Sequence, residues 1–194
     1  MSNTNSQLTK KLVITAMLTA LVVILQFVSM NLRFSMFSIT LTLVPIVLGA
    51  ALCGVSSGAW LGFIFGVVVL LTGDANAFLA VNVPGTIITV LVKGTFCGLL
   101  AGLVYKAFAR FNKYIAVAAA ALASPIANTG IFLIGCLVFF MPTITEWAAS
   151  LGFGDNVGKY MIVGLVGINF IIELAINVVL TPVIVRLLNI RNKY

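Results

Sequence analysis

Long apolar runs, each close to the length of a membrane crossing, alternate along this chain with short polar breaks. A helix needs about 20 mainly apolar residues to cross the hydrocarbon core of a bilayer. On that rule the pattern predicts six spans, over 12–30, 38–53, 57–72, 83–106, 115–140 and 160–188. The second and third are short and joined by Gly54-Val-Ser-Ser-Gly58, which is too tight for anything but a hairpin. A single broken or re-entrant element is the alternative there. The predicted fold is all-α: an integral membrane bundle of six transmembrane helices, with 1–194 forming one transmembrane domain.

Composition sharpens this reading. The chain is 62% hydrophobic and 8% charged, with a mean hydropathy of +1.23, whereas a soluble domain carries about a quarter charged residues. No room is left for a separate soluble domain. The apolar run after Lys10 and Lys11 is longer than the roughly 7–15 residues of a signal-peptide core, so a retained first helix is expected. There is no histidine, which removes the usual general base and the commonest metal ligand. Cys53, Cys97 and Cys136 lie inside apolar runs without CxxC spacing, so neither a disulfide framework nor a zinc site follows. No catalytic set and no Walker A sequence is present, and any ATP use must belong to another chain.

The net charge of +7 does not point to nucleic acid, because the basic residues sit at helix ends. With a cytoplasmic N-terminus, the inside segments hold Lys10, Lys11, Lys106, Arg110, Lys113, Arg186, Arg191 and Lys193. The outside loops hold Arg33 and Lys159 with the acids Asp74, Glu146 and Asp155. That asymmetry is the positive-inside pattern and predicts both termini cytoplasmic.

Small residues recur at helical spacing. Ala16 and Ala20 form a flat strip on the first helix, able to dock a partner or to pack inside the bundle. Gly54, Gly58, Gly62 and Gly66 run four apart along one span, and Gly94, Gly98 and Gly102 along the next, as close helix contact requires.

Charges at membrane depth are costly, roughly 2.5–3.5 kcal/mol each at a helix centre. Lys93 and Glu173 are placed that way. They either line a site or pair with each other and stabilise the bundle. Asn169, Glu173 and Asn177, spaced i, i+4, i+8, share one helix face. Asn128 follows Pro125, and Asn82 opens its helix beside Pro84. Polar groups on three successive spans suit a cavity for a small polar ligand entering from outside.

Over nearly its whole length the chain resembles the substrate-binding S components of energy-coupling factor (ECF) vitamin transporters. The resemblance lies in its size, six spans, the Ala16-x-x-x-Ala20 strip, and Val44-Pro-Ile-Val-Leu-Gly-Ala-Ala-Leu-Cys-Gly-Val-Ser-Ser-Gly58. It implies a high-affinity vitamin-binding subunit of an ATP-driven importer. It also implies docking through Ala16 and Ala20 on a membrane-embedded T component that is driven by two cytoplasmic ATPases. The protein itself then needs no cofactor and is not an enzyme. The implied pocket lies in the outer parts of the last three spans, with Asn82, Lys93, Asn128, Asn169, Glu173 and Asn177 as candidates and Arg33 as a second possible anion partner. Phe78-Leu-Ala-Val-Asn-Val-Pro-Gly-Thr-Ile-Ile-Thr-Val-Leu-Val-Lys-Gly94 and Ser124-Pro-Ile-Ala-Asn-Thr-Gly-Ile-Phe-Leu-Ile-Gly135 look most like the pantothenate branch. Riboflavin and folate stay open, while the scarcity of tryptophan speaks against thiamine. A stand-alone secondary carrier or channel, with Lys93 and Glu173 as an ion relay, and a ligand-free membrane scaffold are the competing classes.

Overall fold

The computed structural model describes residues 2–30 and 40–191. The described residues are helical, joined by short turns. The elements are α1 (Ser2–Ser29), α2 (Leu43–Cys53), α3 (Val55–Thr72), α4 (Asn76–Leu79), α5 (Val83–Phe108), α6 (Lys113–Phe139), α7 (Met141–Ser150) and α8 (Val157–Lys159). A π-helical stretch, Tyr160–Leu165, then leads into α9 (Gly167–Val179) and α10 (Thr181–Arg191).

Among the described residues, five stretches are long and apolar enough to cross a membrane: Ser6–Ser29, Val55–Thr72, Val83–Phe108, Lys113–Phe139 and Gly167–Asn189. They correspond to five of the six spans expected from the pattern. The expected span over 38–53 is different. Its helix starts at Leu43 and has 11 residues, about 16 Å at 1.5 Å per residue, roughly half the hydrocarbon thickness. Gly54, with φ of 101°, ends it and begins α3 at once. The two helices fold back on each other, so that a Cβ on Gly58 would lie 2.8 Å from that of Ala50. The expected hairpin is therefore present, with one short arm.

The span expected over 160–188 is also broken. Pro182 has no N–H for the carbonyl of Val178, so the helix is interrupted at Leu180. Bonding resumes with the Ile184 N–H donating to the Leu180 carbonyl at 3.1 Å.

Glycine fixes the centre of the bundle. A Cβ on Gly62 would fall on the Gly94 carbonyl, and one on Gly98 on the Gly58 carbonyl. A Cβ on Gly66 would lie 2.9 Å from the Val90 carbonyl oxygen. Helices α3 and α5 thus run antiparallel with their backbones touching, the contact the two glycine stripes predict. At the next interface Gly135 of α6 faces the side chain of Thr89 on α5.

Helix α1 runs alongside α3 in the same direction. Thr15 Oγ1 donates to Ser57 Oγ at 3.2 Å, and Trp60 Nε1 donates to Thr19 Oγ1 at 3.3 Å. Its buried face is Leu18, Val22, Gln26 and Ser29. This alternation of directions gathers Lys10, Lys11, Lys106, Arg110, Lys113 and Arg186 at one end of the bundle. Asp74, Glu146 and Asp155 lie at the other. Large apolar side chains such as Met17, Leu71, Ile134 and Val179 point outward, as a lipid-facing surface requires.

At the acidic end an aromatic cluster closes the bundle. Phe78 meets the rings of Phe132, Phe140 and Trp147 edge-on, with centroids 5.5, 4.9 and 5.4 Å away. Ile144 and Ala148 of α7 are buried against this cluster.

Candidate functional site

Beneath the aromatic cluster lies a cavity walled by α3, α5, α6 and α9 and by the chain just before α2. Four of the expected site residues line it together: Lys93, Asn128, Asn169 and Glu173. They come from three helices, Lys93 from α5, Asn128 from α6, and Asn169 and Glu173 one turn apart on α9. Lys93 projects from the same part of α5 whose glycines hold it against α3. Its ammonium lies 5.8 Å from the ring centroid of Phe65 and 5.4 Å from that of Phe132, within cation–π range.

Glu173 is buried, and its Oε1 accepts the backbone N–H of Thr40 at 3.1 Å. No ion pair joins Lys93 to Glu173 among the described residues. The carboxylate is held by a backbone donor and the ammonium by ring faces, so each charge has its own local partner. Asn128 is buried with its Oδ1 lacking a hydrogen-bond partner. An unmade bond of that kind costs about 1–3 kcal/mol, and a ligand donor would satisfy it.

The other expected residues are placed differently. Asn177 is buried one turn below Glu173, with its Nδ2 donating to the Glu173 carbonyl at 2.8 Å. It supports α9 from outside the cavity lining. Asn82 caps α5, its Oδ1 accepting the Gly85 N–H at 2.9 Å, and it is not among the lining residues either. Arg33 lies outside the described residues.

Several lining residues were not singled out from the sequence: Thr40, Phe65, Asp74, Thr129, Phe132 and Phe170. Phe132 was within reach of spacing arguments, since it follows Asn128 by four and shares its face. Asp74 reads as a loop acid. Gly73, with φ of 77°, ends α3 in the left-handed conformation and turns Asp74 over the cavity. Its Oδ2 accepts a long hydrogen bond, 3.5 Å, from Gln26 Nε2 of α1. Thr40 could only be found through its contact with Glu173, 133 positions away in the chain.

Chemically the cavity offers a cation between two ring faces, two carboxylates, amides and two hydroxyls, enclosed by apolar walls. That set suits selective binding of a small polar molecule. Among the described residues no group of histidine, cysteine, aspartate or glutamate could hold a metal ion.

Ala16 and Ala20 are both exposed. At about 100° per residue they lie on the side of α1 opposite Leu18 and Val22. The strip therefore faces away from its own bundle, against the packing alternative. Met17, Leu21 and Ile24 continue that exposed surface.

A family model described as the ECF transporter substrate-specific component matches residues 10–185. No curated protein and no solved structure matches the chain.

Proposed function

The chain belongs to the substrate-specific component family of ECF transporters, and from that premise we propose that it captures a vitamin, pantothenate foremost, in the cavity beneath the aromatic cluster. As a transporter's substrate-binding subunit it is not an enzyme. Its family implies a T component and ATPase subunits as partners and a small molecule as substrate. The energy of uptake then comes from ATP hydrolysed by those partners.

One observation carries the site: Lys93, Asn128, Asn169 and Glu173 converge on one cavity from three helices, with Lys93 and Glu173 not spent on each other. In this reading the Lys93 ammonium receives the ligand carboxylate. Asn128 Oδ1 accepts a ligand N–H or O–H, and Glu173 with Asp74 accepts hydroxyl protons. Pantothenate has one carboxylate, one amide and two hydroxyl groups, and it matches that set group for group. Docking on the T component runs through Ala16 and Ala20, whose small side chains allow a partner helix to approach the α1 backbone.

A second reading has its own support. Phe65 and Phe132 both present ring faces to the Lys93 ammonium, and two carboxylates share the cavity. These features favour a ligand with a ring or a cationic group, such as thiamine. Tryptophan scarcity is thereby a weaker argument than the sequence suggested, since phenylalanines supply the ring faces.

Titrating pantothenate, riboflavin, folate and thiamine into the purified protein tests both readings. Tight binding of pantothenate alone is the expected result, and tight binding of thiamine alone replaces it with the second. Co-purification of a T component and two ATPases is expected from membranes of cells making the whole complex. Their absence, with uptake retained, would favour a stand-alone carrier.

A further inference from the structure

A second hollow adjoins the first and shares Val69, Asp74, Lys93 and Phe132 with it. Beyond Lys93 its walls are mainly apolar, from Ala75, Phe78, Val90 and Phe140, and the polar groups among them are Thr86 and Thr89 of α5. The two threonines behave differently. Thr86 Oγ1 donates to the carbonyl of Asn82, four residues back, at 2.7 Å, and Thr95 does the same to Leu91. This back-bond is the usual way a helix satisfies a threonine hydroxyl. Thr89 makes no such bond. Its side chain is 4% exposed, yet its Oγ1 has no hydrogen-bond partner.

Its side chain packs instead against the neighbouring helix. A Cβ on Gly135 would fall on both Oγ1 and Cγ2 of Thr89, so glycine leaves the room that the threonine occupies. A buried hydroxyl left unpaired on the wall of an apolar hollow is costly unless something binding there completes it.

We propose that this hollow is a second lobe of the binding site, taking a compact apolar part of the ligand, with the Thr89 hydroxyl bonding one polar atom carried on it. The inference rests on the reading of the first cavity as the substrate site. Lys93 stands at the junction of the two lobes. The ligand is therefore an amphiphilic small molecule, with its anionic or strongly polar group beside Lys93. Its branched aliphatic or ring portion reaches under Phe78 and Phe140. Thr89 is in this account a specificity-determining residue, selecting ligands whose apolar portion carries a hydroxyl or carbonyl.

The test uses the full chain in detergent, titrated with pantothenate, riboflavin, folate and thiamine. For whichever vitamin the wild type binds, T89V should bind about three- to tenfold more weakly, the equivalent of one neutral hydrogen bond. T89S, which keeps the hydroxyl, should stay close to wild type. The melting temperature of ligand-free T89V should not fall, because valine has the same shape and no hydroxyl to strand. G135A is an independent route, since it displaces Thr89 without changing a cavity residue, and it should weaken the same ligand. Wild-type affinity in T89V, alongside weakened binding in K93A, removes the second lobe and leaves the first site standing. A wild type that binds none of the four vitamins removes both.

Discussion

Lys93 has no carboxylate within ion-pair reach among the described residues, and its ammonium rests between two phenyl rings. A ring face stabilises a buried cation less than a carboxylate does, so the charge remains available to an anion. Were Lys93 and Glu173 a structural pair, removing one would strand the other at a cost of about 3–5 kcal/mol. Here Glu173 has a bond of its own from the Thr40 N–H, which does not involve Lys93. We therefore expect K93A to lose about 1.5–3 kcal/mol of ligand binding, as for a hydrogen bond to a charged group. That corresponds to roughly 10- to 150-fold weaker affinity. The ligand-free melting temperature should hardly change. Calorimetric titration beside thermal unfolding reads both. A large drop in stability, recovered in the K93M/E173Q double variant with normal binding, would return the charges to a structural role. N128A should lose less affinity, about 0.5–1.5 kcal/mol, because its Oδ1 offers a neutral hydrogen bond.

Among the elements, α1 and the α3–α5 pair show what small residues do in a membrane. The two glycine stripes were legible from spacing, and their purpose is visible in the Gly62–Gly94 and Gly58–Gly98 contacts. A methyl group has no space there, so G62A should force the helices apart. The expected cost is about 1–3 kcal/mol, seen as a lower melting temperature in detergent. Because Lys93 neighbours Gly94, ligand affinity should fall with it. An unchanged melting temperature would mean that the two backbones are farther apart than described. The alanine strip on α1 has the same spacing and the opposite situation, since Ala16 and Ala20 face outward. A16W or A20W should leave folding and ligand binding by the isolated chain intact while abolishing uptake by the complete transporter. Loss of binding in the isolated variant would place the strip back inside the bundle. Spacing alone cannot separate these two cases. The angle between the strip and the Leu18–Val22 face decides it, and that face is known only once α1 has a neighbour.

For the whole molecule, element directions place the basic residues at one end and Asp74, Glu146 and Asp155 at the other. From the positive-inside tendency we propose that the basic end faces the cytoplasm and the aromatic cluster the outside. The native thiols Cys53, Cys97 and Cys136 are all buried, which leaves a low background for labelling. Exposed positions serve as reporters: N76C and D155C should react with a membrane-impermeant thiol reagent on intact cells, and R110C should not. The reverse pattern would invert the bundle and put the cavity on the cytoplasmic side.

The sequence by itself determined the solvent. Its apolar runs and the scarcity of charge admit only a bilayer, and the run lengths located α3, α5 and α6 closely, while the first and last spans start elsewhere than expected. It also marked Lys93, Asn128, Asn169 and Glu173, because a polar group at membrane depth is too costly to be there without use or partner. Local chemistry then separated residues that look alike in one dimension. Asn82 sits at a helix start and caps it, while Asn128 sits in a helix middle and faces a cavity. Only the tertiary structure decided which polar groups share a space. Thr40 reaches Glu173 across 133 positions, Phe65 and Phe132 enclose Lys93 from two other helices, and Asp74 is turned inward by one left-handed glycine. The glycine stripes announced that α3 and α5 touch. Which side chains of the other helices then meet in one space depends on how all of them pack together, and that has no signal along a single chain.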